Sequence, residues 1–162
     1  MISRDEAGRL IEYSSRYMHG VLTGRIMAAL AEALEEDGGL WETVGLLHDL
    51  DYDQTRVGAS RHGVVGAEVL KGRLPEEALH AIASHDQGSG VKPETLLDHS
   101  LILADALAIL MEEVELRKPV SGWAFQTALL KVAGSKPWIR DLITGYPYAD
   151  EVDLKAVLDA VL

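Results

Sequence analysis

Adjacent imidazole and carboxylate side chains stand on what the sequence predicts to be a buried helix face. His48 is followed directly by Asp49, and the apolar residues Trp41, Val44 and Leu47 precede this pair at helical spacing. Burying an unpaired carboxylate costs several kcal/mol. A polar pair on an inward face therefore needs a partner, and a bound cation would be one.

The same pattern recurs in other parts of the chain. His19, His85 and Asp105 each have apolar residues three or four positions away, so they are predicted to face inward on three further helices. His62 stands near the start of another predicted helix, where Gly66 would let a neighbouring group approach closely. A single inward histidine is more often a hydrogen-bonded core residue. This many inward ligands in one acidic chain favour a common cation.

The residue types restrict the kind of metal. Imidazole and carboxylate ligands suit Mn, Fe, Ni, Co or Zn better than the all-oxygen cages of Mg and Ca, but they do not choose among the first five. The chain has no cysteine, which excludes a thiolate site, a Cys nucleophile and a disulfide framework. His80 and His99 lie beside acidic residues and are interpreted as partly exposed surface residues without a metal role.

The elements that must position these side chains are helices. Apolar residues recur at helical spacing, and alternating stretches bounded by turn residues are absent, so the predicted fold is an all-α single domain. The predicted helices cover residues 4–13 with Ser3 as the cap, 18–36, 41–47, 61–71, 75–84, 94–116, 123–132, 136–143 and 153–162. Residues 49–60 and 88–93 are predicted to be loops. The apolar helix at 94–116 is expected at the centre of the fold.

Length and charge restrict the possible partners. The 162 residues suit one domain with a single core. Lys and Arg number 15 against 26 Asp and Glu, and the net charge of −11 disfavours nucleic acid and anionic lipid. The sequence shows neither a signal peptide nor the run of about 18 apolar residues that a membrane span needs. A cytoplasmic protein is expected.

The ordered set of histidines and aspartates resembles the HD-domain superfamily of metal-dependent phosphohydrolases. The minimal signature of this family is a first His, an adjacent His-Asp pair and a distant Asp, and these roles fall on His19, His48, Asp49 and Asp105. The resemblance covers about the first 115 residues. It implies an HD-type helical bundle at residues 1–116 and a C-terminal helical extension at residues 117–162, packed on the same domain.

The resemblance also implies a reaction and a ligand set. The expected activity is metal-dependent hydrolysis of a phosphoester in a nucleotide or a related small phosphorylated metabolite. One or two divalent transition-metal ions are implied. The first would be held by the four residues of the minimal signature. Asp49 would bridge to a second ion held by His62 and His85, which resemble the ligands of family members with two metals.

Residues next to the ligands are candidates for the remaining roles. Asp51 is predicted to orient or deprotonate the attacking water, with Asp53 or Asp86 in reserve, although a solvated loop carboxylate or helix cap is an equal interpretation for Asp51. Arg61, adjacent to His62, is the candidate for binding the substrate phosphate, against the alternative of a surface role.

Two other functions stay open at this point. Some HD relatives use a di-iron centre to activate O₂, so an HD-type oxygenase is an alternative enzyme. A non-catalytic metal-binding or nucleotide-binding signalling domain is the other. Apolar residues near Trp138, Ile143 and Val157 could serve a homodimer or the core. The tripeptide at 145–147, Gly-Tyr-Pro, lies too late in the chain to mark the cyclic-dinucleotide branch of the superfamily and is interpreted as a turn.

Overall fold

The computed structural model describes residues 2–57 and 61–162, and within these ranges it is built from helices with no β-sheet, which confirms the all-α prediction. A short 3-10 helix at Gln87–Ser89 follows α6. The α-helices are α1 (Arg4–Ile11), α2 (Tyr17–Ala33), α3 (Gly38–Leu47), α4 (Tyr52–Thr55), α5 (Val64–Val69), α6 (Glu76–Ser84), α7 (Leu96–Glu113), α8 (Gly122–Ser135), α9 (Pro137–Thr144) and α10 (Leu154–Val161).

Capping residues explain where several helices begin. Ser3 caps α1 in a capping box with Glu6, as predicted. The α3 helix begins at Gly38, three residues before its predicted start, because the Asp37 carboxylate accepts hydrogen bonds from the backbone of Gly39 and Leu40. The sequence Asp-Gly-Gly therefore opens a helix rather than only closing the preceding one.

The segment predicted as a loop at 49–60 contains one helical turn. The four residues of α4 follow Asp51, and the Thr55 hydroxyl donates a hydrogen bond to the Asp51 carbonyl. Residues 58–60 lie outside the described ranges. The next helix begins at Val64 rather than at residue 61, because Gly63 has a φ of 76°, which ends regular helical geometry on its N-terminal side. A Cβ at Gly63 would collide with the Ile82 carbonyl, so only glycine fits.

Glycines bring α2 and α3 unusually close together. A Cβ at Gly45 would lie 2.8 Å from the Gly24 Cα, and a Cβ at Gly20 would lie 2.8 Å from the Leu46 carbonyl oxygen. Backbone thus packs directly on backbone where the two helices cross. The consequence for the site is that His19 on α2 and His48 after α3 are neighbours, with ring centroids 5.3 Å apart.

The α7 helix lies at the centre of the fold, as predicted, and contacts α2, α3, α6, α8 and α9. Beyond residue 116, α8 and α9 pack on α7, and α10 packs on α2. Two of the three residues considered for a homodimer, Ile143 and Val157, are buried in the core of this chain, whereas Trp138 is 54% exposed. Among the residues that the structure describes, no helix is both long and apolar enough to cross a membrane.

The Gly-Tyr-Pro tripeptide lies at the end of α9, where the predicted turn is found. Gly145 caps the helix through a backbone hydrogen bond to Asp141. The Tyr146 side chain is buried and shares a hydrogen bond of 2.8 Å with the Ser100 hydroxyl on α7. This contact anchors the C-terminal end of α9 to the central helix.

Candidate metal centre

Two of the histidines have a tautomer that is fixed by the helix they follow. His48 comes directly after α3 and hydrogen-bonds through Nδ1 to the Gly45 carbonyl at 2.7 Å. His85 comes directly after α6 and makes the same bond to the Ile82 carbonyl, also at 2.7 Å. Each Nδ1–H therefore satisfies a carbonyl in the last turn of a helix. The remaining ring nitrogen, Nε2, then carries a lone pair.

The lone pair of His48 has no hydrogen-bond donor within the described part of the chain. His48 is fully buried, and its Nε2 lies 3.5 Å from an Asp49 oxygen and 3.8 Å from an Asp105 oxygen. A buried lone pair that faces two carboxylates is unfavourable unless something positive lies between them. This orphaned atom is the strongest indication that the residues present fit a metal ion.

His19 lies in the first turn of α2, between two carboxylates from α7. Its Nε2 is 2.8 Å from the Asp105 Oδ1, and its Nδ1 is 2.9 Å from the Glu112 Oε1. The imidazole is almost fully buried. With Glu112 accepting the Nδ1 proton, Nε2 is directed at the same carboxylate that His48 faces.

His62 precedes α5 and has a similar pair of contacts. Its Nε2 is 2.9 Å from the Asp49 Oδ1, and its Nδ1 is 3.0 Å from the Asp51 Oδ1 and 3.3 Å from the Thr55 hydroxyl. Asp51 is 1% exposed, and its other oxygen accepts a hydrogen bond of 2.9 Å from the Gly63 backbone. Asp51 thus lies behind His62, on the side away from the cavity.

The structure brings the six predicted ligands together. Two sets of three residues have ligand atoms within 4.8 Å of one another, namely His19 with His48 and Asp105, and His48 with Asp49 and His85. His62 lies outside both sets but contacts Asp49. The four imidazoles all present Nε2 toward Asp49 or Asp105, an arrangement typical of a centre for one or two metal ions.

Burial and neighbouring charges act in opposite directions on the ionisable groups of the cluster. Burial opposes protonation of His62, but the hydrogen bonds and charges of Asp49 and Asp51 outweigh it and raise the pKa of His62 to about 10. Burial likewise disfavours the Asp49 carboxylate, yet the hydrogen bond with the protonated His62 helps to hold its pKa well below the usual range. Against the same opposing effect of burial, the hydrogen bond with His19 lowers the pKa of Asp105. The carboxylates are therefore ionised, as metal ligands must be.

A cavity of about 240 Å³ opens directly above this cluster. Its polar wall consists of Arg16, Asp49, His62, His85, Asp86, Gln87 and Asp105. Its other wall is formed by aromatic and aliphatic side chains from three parts of the chain, Tyr52, Ile109, Trp138, Ile139 and Leu142. The centre is therefore accessible to a small molecule rather than enclosed by protein.

Within the described part of the chain, the arginine that lines the cavity is Arg16 and not the predicted Arg61. Arg16 donates from Nε to the Asp49 Oδ2 at 2.8 Å, and its guanidinium lies 5.1 Å from the centre of the Tyr52 ring. Arg61 has a side chain that is 60% exposed, pairs with Glu68, and does not line the cavity. The reserve candidate Asp86 lines the cavity, whereas Asp53 is exposed and accepts hydrogen bonds from Ser15.

Two site residues were missed at the level of sequence, although helical spacing could have identified them. Arg16 is the N-cap residue of α2, three residues before His19. Glu112 lies seven residues, or two turns, after Asp105 on α7. His80 and His99 lie away from the centre and are partly exposed, as predicted; His80 pairs with Asp98, and His99 packs on Tyr148.

The comparisons with known proteins agree with this geometry. The uncharacterized protein MJ0778 of Methanocaldococcus jannaschii is 36% identical over 87 residues, which cover 54% of this chain and 50% of that protein. The chain therefore spans about half the length of this curated relative. No solved structure matches. A family model described as the HD domain matches residues 16–110, a range that includes all six clustered ligands, and this chain belongs to the HD domain family.

Proposed function

We propose that this protein is a metal-dependent phosphohydrolase that cleaves a phosphoester in a nucleotide or a similar small metabolite. The observation that carries the proposal is the convergence of imidazole Nε2 atoms on Asp49 and Asp105 at the floor of a cavity, with the His48 lone pair buried and unpartnered. A structural metal site would be closed by protein ligands. This one borders a cavity that also contains an arginine, which favours catalysis on an anionic substrate.

The ligands divide between two ions in the proposal. His19, His48, Asp49 and Asp105 would hold the first, and Asp49, His62 and His85 would hold the second. Divalent transition-metal ions bound there would supply a Lewis acid for the phosphoryl group and lower the pKa of water. Each ligand histidine has a protein acceptor behind it, namely the Gly45 and Ile82 carbonyls, Glu112, and Asp51 with Thr55.

Arg16 is proposed to bind the substrate phosphate. Its Nε is already engaged by Asp49, and no other described residue accepts a hydrogen bond from its two terminal nitrogens. Those nitrogens form the planar donor fork that matches two phosphate oxygens. The contact with Tyr52 holds the guanidinium over the cavity before a substrate arrives.

Asp86 takes the place of Asp51 as the proposed acceptor of the water proton. Asp86 is the carboxylate among the described cavity residues that is not in the ligand set. Asp51 is instead proposed as a positioning residue, because it contacts the Nδ1 side of His62 and the Gly63 backbone. Gly66 packs against it, and a Cβ there would lie 3.4 Å from the Asp51 Oδ1.

Replacing Asp51 with asparagine tests this positioning role. Asp51→Asn is expected to weaken the second metal site by about tenfold to a hundredfold, because a neutral amide holds the His62 imidazole less firmly. The affinity of the first ion should change much less. Calorimetric titration with Mn²⁺ and Zn²⁺ would resolve the two affinities. Asp53→Asn is the matched control in the same segment, and equal losses in both variants would refute the role of Asp51.

Metal affinity should rise with pH. In the absence of metal, His62 is protonated up to a pKa of about 10, and the net effect on the pKa of His19 is also upward because Asp105 outweighs burial. A metal must displace these protons, so the affinity is expected to increase by about tenfold per pH unit for each proton displaced. Metal titrations between pH 6 and 8 would measure how steeply the affinity rises with pH. In His62→Gln, one proton fewer is displaced, so the rise per pH unit should be about tenfold smaller.

The metal-free protein should show the opposite dependence in its stability. The pKa of His62 in the folded protein, about 10, exceeds the ordinary value of 6.5. Its stabilising contribution is therefore fully present below pH 6.5 and is lost as the pH rises toward 10. Chemical denaturation with and without metal distinguishes the two effects. A metal affinity that does not change with pH would contradict the assignment of His62 as a ligand that is protonated in the metal-free protein and must lose this proton to bind metal.

The function itself is tested with the wild-type protein. Elemental analysis would identify the ions that the protein carries when purified. Metal-stripped protein would then be supplied with Mn²⁺, Fe²⁺, Co²⁺, Ni²⁺ or Zn²⁺ and assayed against a panel of phosphomonoesters and phosphodiesters. Turnover that depends on added metal is expected. Bound iron with O₂ consumption and no hydrolysis would indicate an oxygenase instead, and metal binding without turnover would indicate a signalling domain.

A further inference from the structure

Trp138 contributes an aromatic surface to the cavity from outside the family match. The α9 helix lies beyond residue 110, where the match to the HD domain ends. Its buried residues Ile139 and Ile143 anchor it to the core. Trp138 nevertheless remains 54% exposed while lining the cavity. An exposed indole at the edge of a cavity is available to a ligand, because the core does not use its face.

The neighbours of Trp138 extend this surface. Leu142 follows it by four residues, so the two side chains share one face of α9, and both line the cavity together with Ile109 from α7. These side chains therefore form an apolar part of the cavity lining. Gln87, which also lines it, offers an amide donor and acceptor.

The charges around the cavity limit the number of phosphates. Arg16 is the one lysine or arginine among the described residues that line it, against Asp49, Asp86 and Asp105. The volume of about 240 Å³ lies below the usual 300–1,000 Å³ of ligand pockets. One phosphate with a compact organic group suits such a space, whereas a polyphosphate would find no lysine or arginine besides Arg16 among the described residues that line it.

We propose that Trp138 is the specificity-determining residue of this cavity and that the substrate is a nucleoside monophosphate, whose base stacks on the indole while Arg16 and the metal centre bind its phosphate. This inference rests on the proposed phosphohydrolase function. In the reaction, the oxygen of water forms a bond to phosphorus and the ester P–O bond breaks. The water proton passes to a base and the nucleoside oxygen gains a proton, so the products are nucleoside and inorganic phosphate.

The test compares a substrate that has a base with one that lacks it. For the metal-loaded protein, kcat/KM is measured with nucleoside 5′-monophosphates and with ribose 5-phosphate. Trp138→Ala should lower the ratio of these two values by about tenfold or more, since base–aromatic stacking contributes this much. Trp138→Phe should preserve most of the ratio, because phenylalanine retains an aromatic face. Trp123→Ala on α8, also an exposed tryptophan, is the matched control.

A binding measurement separates this inference from the proposed function. Nucleoside monophosphate should quench the tryptophan fluorescence of the metal-loaded protein, and the quenching should be lost in Trp138→Phe but kept in Trp123→Phe. If the wild-type protein binds the nucleotide through Trp138 and hydrolyses nothing, the proposed function and the substrate assignment both fail, whereas the stacking of the base on Trp138 stands. If it hydrolyses both substrates and Trp138→Ala lowers both rates equally, or neither, the inference is overturned.

Discussion

Replacing His48 with alanine is expected to abolish metal binding and phosphoester hydrolysis together. His48 belongs to both sets of converging ligands, and its Nε2 is one of the buried side-chain atoms that have no hydrogen-bond partner in the described structure. Loss of a residue that merely orients a ligand costs about tenfold to a hundredfold in affinity, so loss of this ligand should cost more than a hundredfold. Metal content after dialysis and kcat/KM with saturating metal would measure the two effects.

The design must separate loss of metal from loss of folding. His48 is fully buried, and its truncation leaves the Gly45 carbonyl without its partner. Thermal unfolding of the metal-free wild type and of His48→Ala therefore accompanies the assay. His99→Ala, a partly exposed histidine outside the centre, is the control for removal of an imidazole. A folded His48→Ala protein that still holds two ions would exclude His48 from the ligand set.

Replacing Arg16 with alanine is expected to lower kcat/KM by about tenfold to a hundredfold, because the substrate phosphate loses its hydrogen bonds to the guanidinium. Metal affinity should stay the same or rise, because Asp49 loses a competing cation when the 2.8 Å contact with Arg16 is removed. This combination distinguishes a phosphate-binding residue from a ligand. Steady-state kinetics and metal titration on the same preparation would measure both.

Arg61→Ala is the informative comparison for Arg16. Sequence proximity to His62 favoured Arg61, but its side chain extends into solvent beside Glu68. An exposed ion pair of this kind contributes little to stability or to a site at a distance. If Arg61→Ala loses more activity than Arg16→Ala, the assignment of the phosphate contact to Arg16 is wrong.

The fold was predictable to the extent that it depends on local patterns. Apolar spacing predicted the helical class and the central position of α7, and the residue type of Ser3 predicted its cap. Boundaries were wrong where a single residue overrides that spacing. The Asp37 carboxylate starts α3 early, and the positive φ of Gly63 delays α5. Gly63 also lies directly against the carbonyl of Ile82, a residue from a different helix, and sequence spacing does not reveal that contact.

The candidate site, like the fold, was predictable in part from local sequence patterns. The sequence by itself determined which residues would be costly to bury alone, since an imidazole or carboxylate on an apolar helix face is recognisable from its neighbours. Only the tertiary structure decided which of the nearby charged residues face the centre. Arg16 lines the cavity while Arg61 does not, and Asp51 lies behind His62. The direct packing of α2 on α3 and the conformation of Gly63 set these positions. Trp138 comes from a helix far along the chain, so its place in the cavity follows from the packing of α9 on α7, a long-range contact that no local pattern encodes.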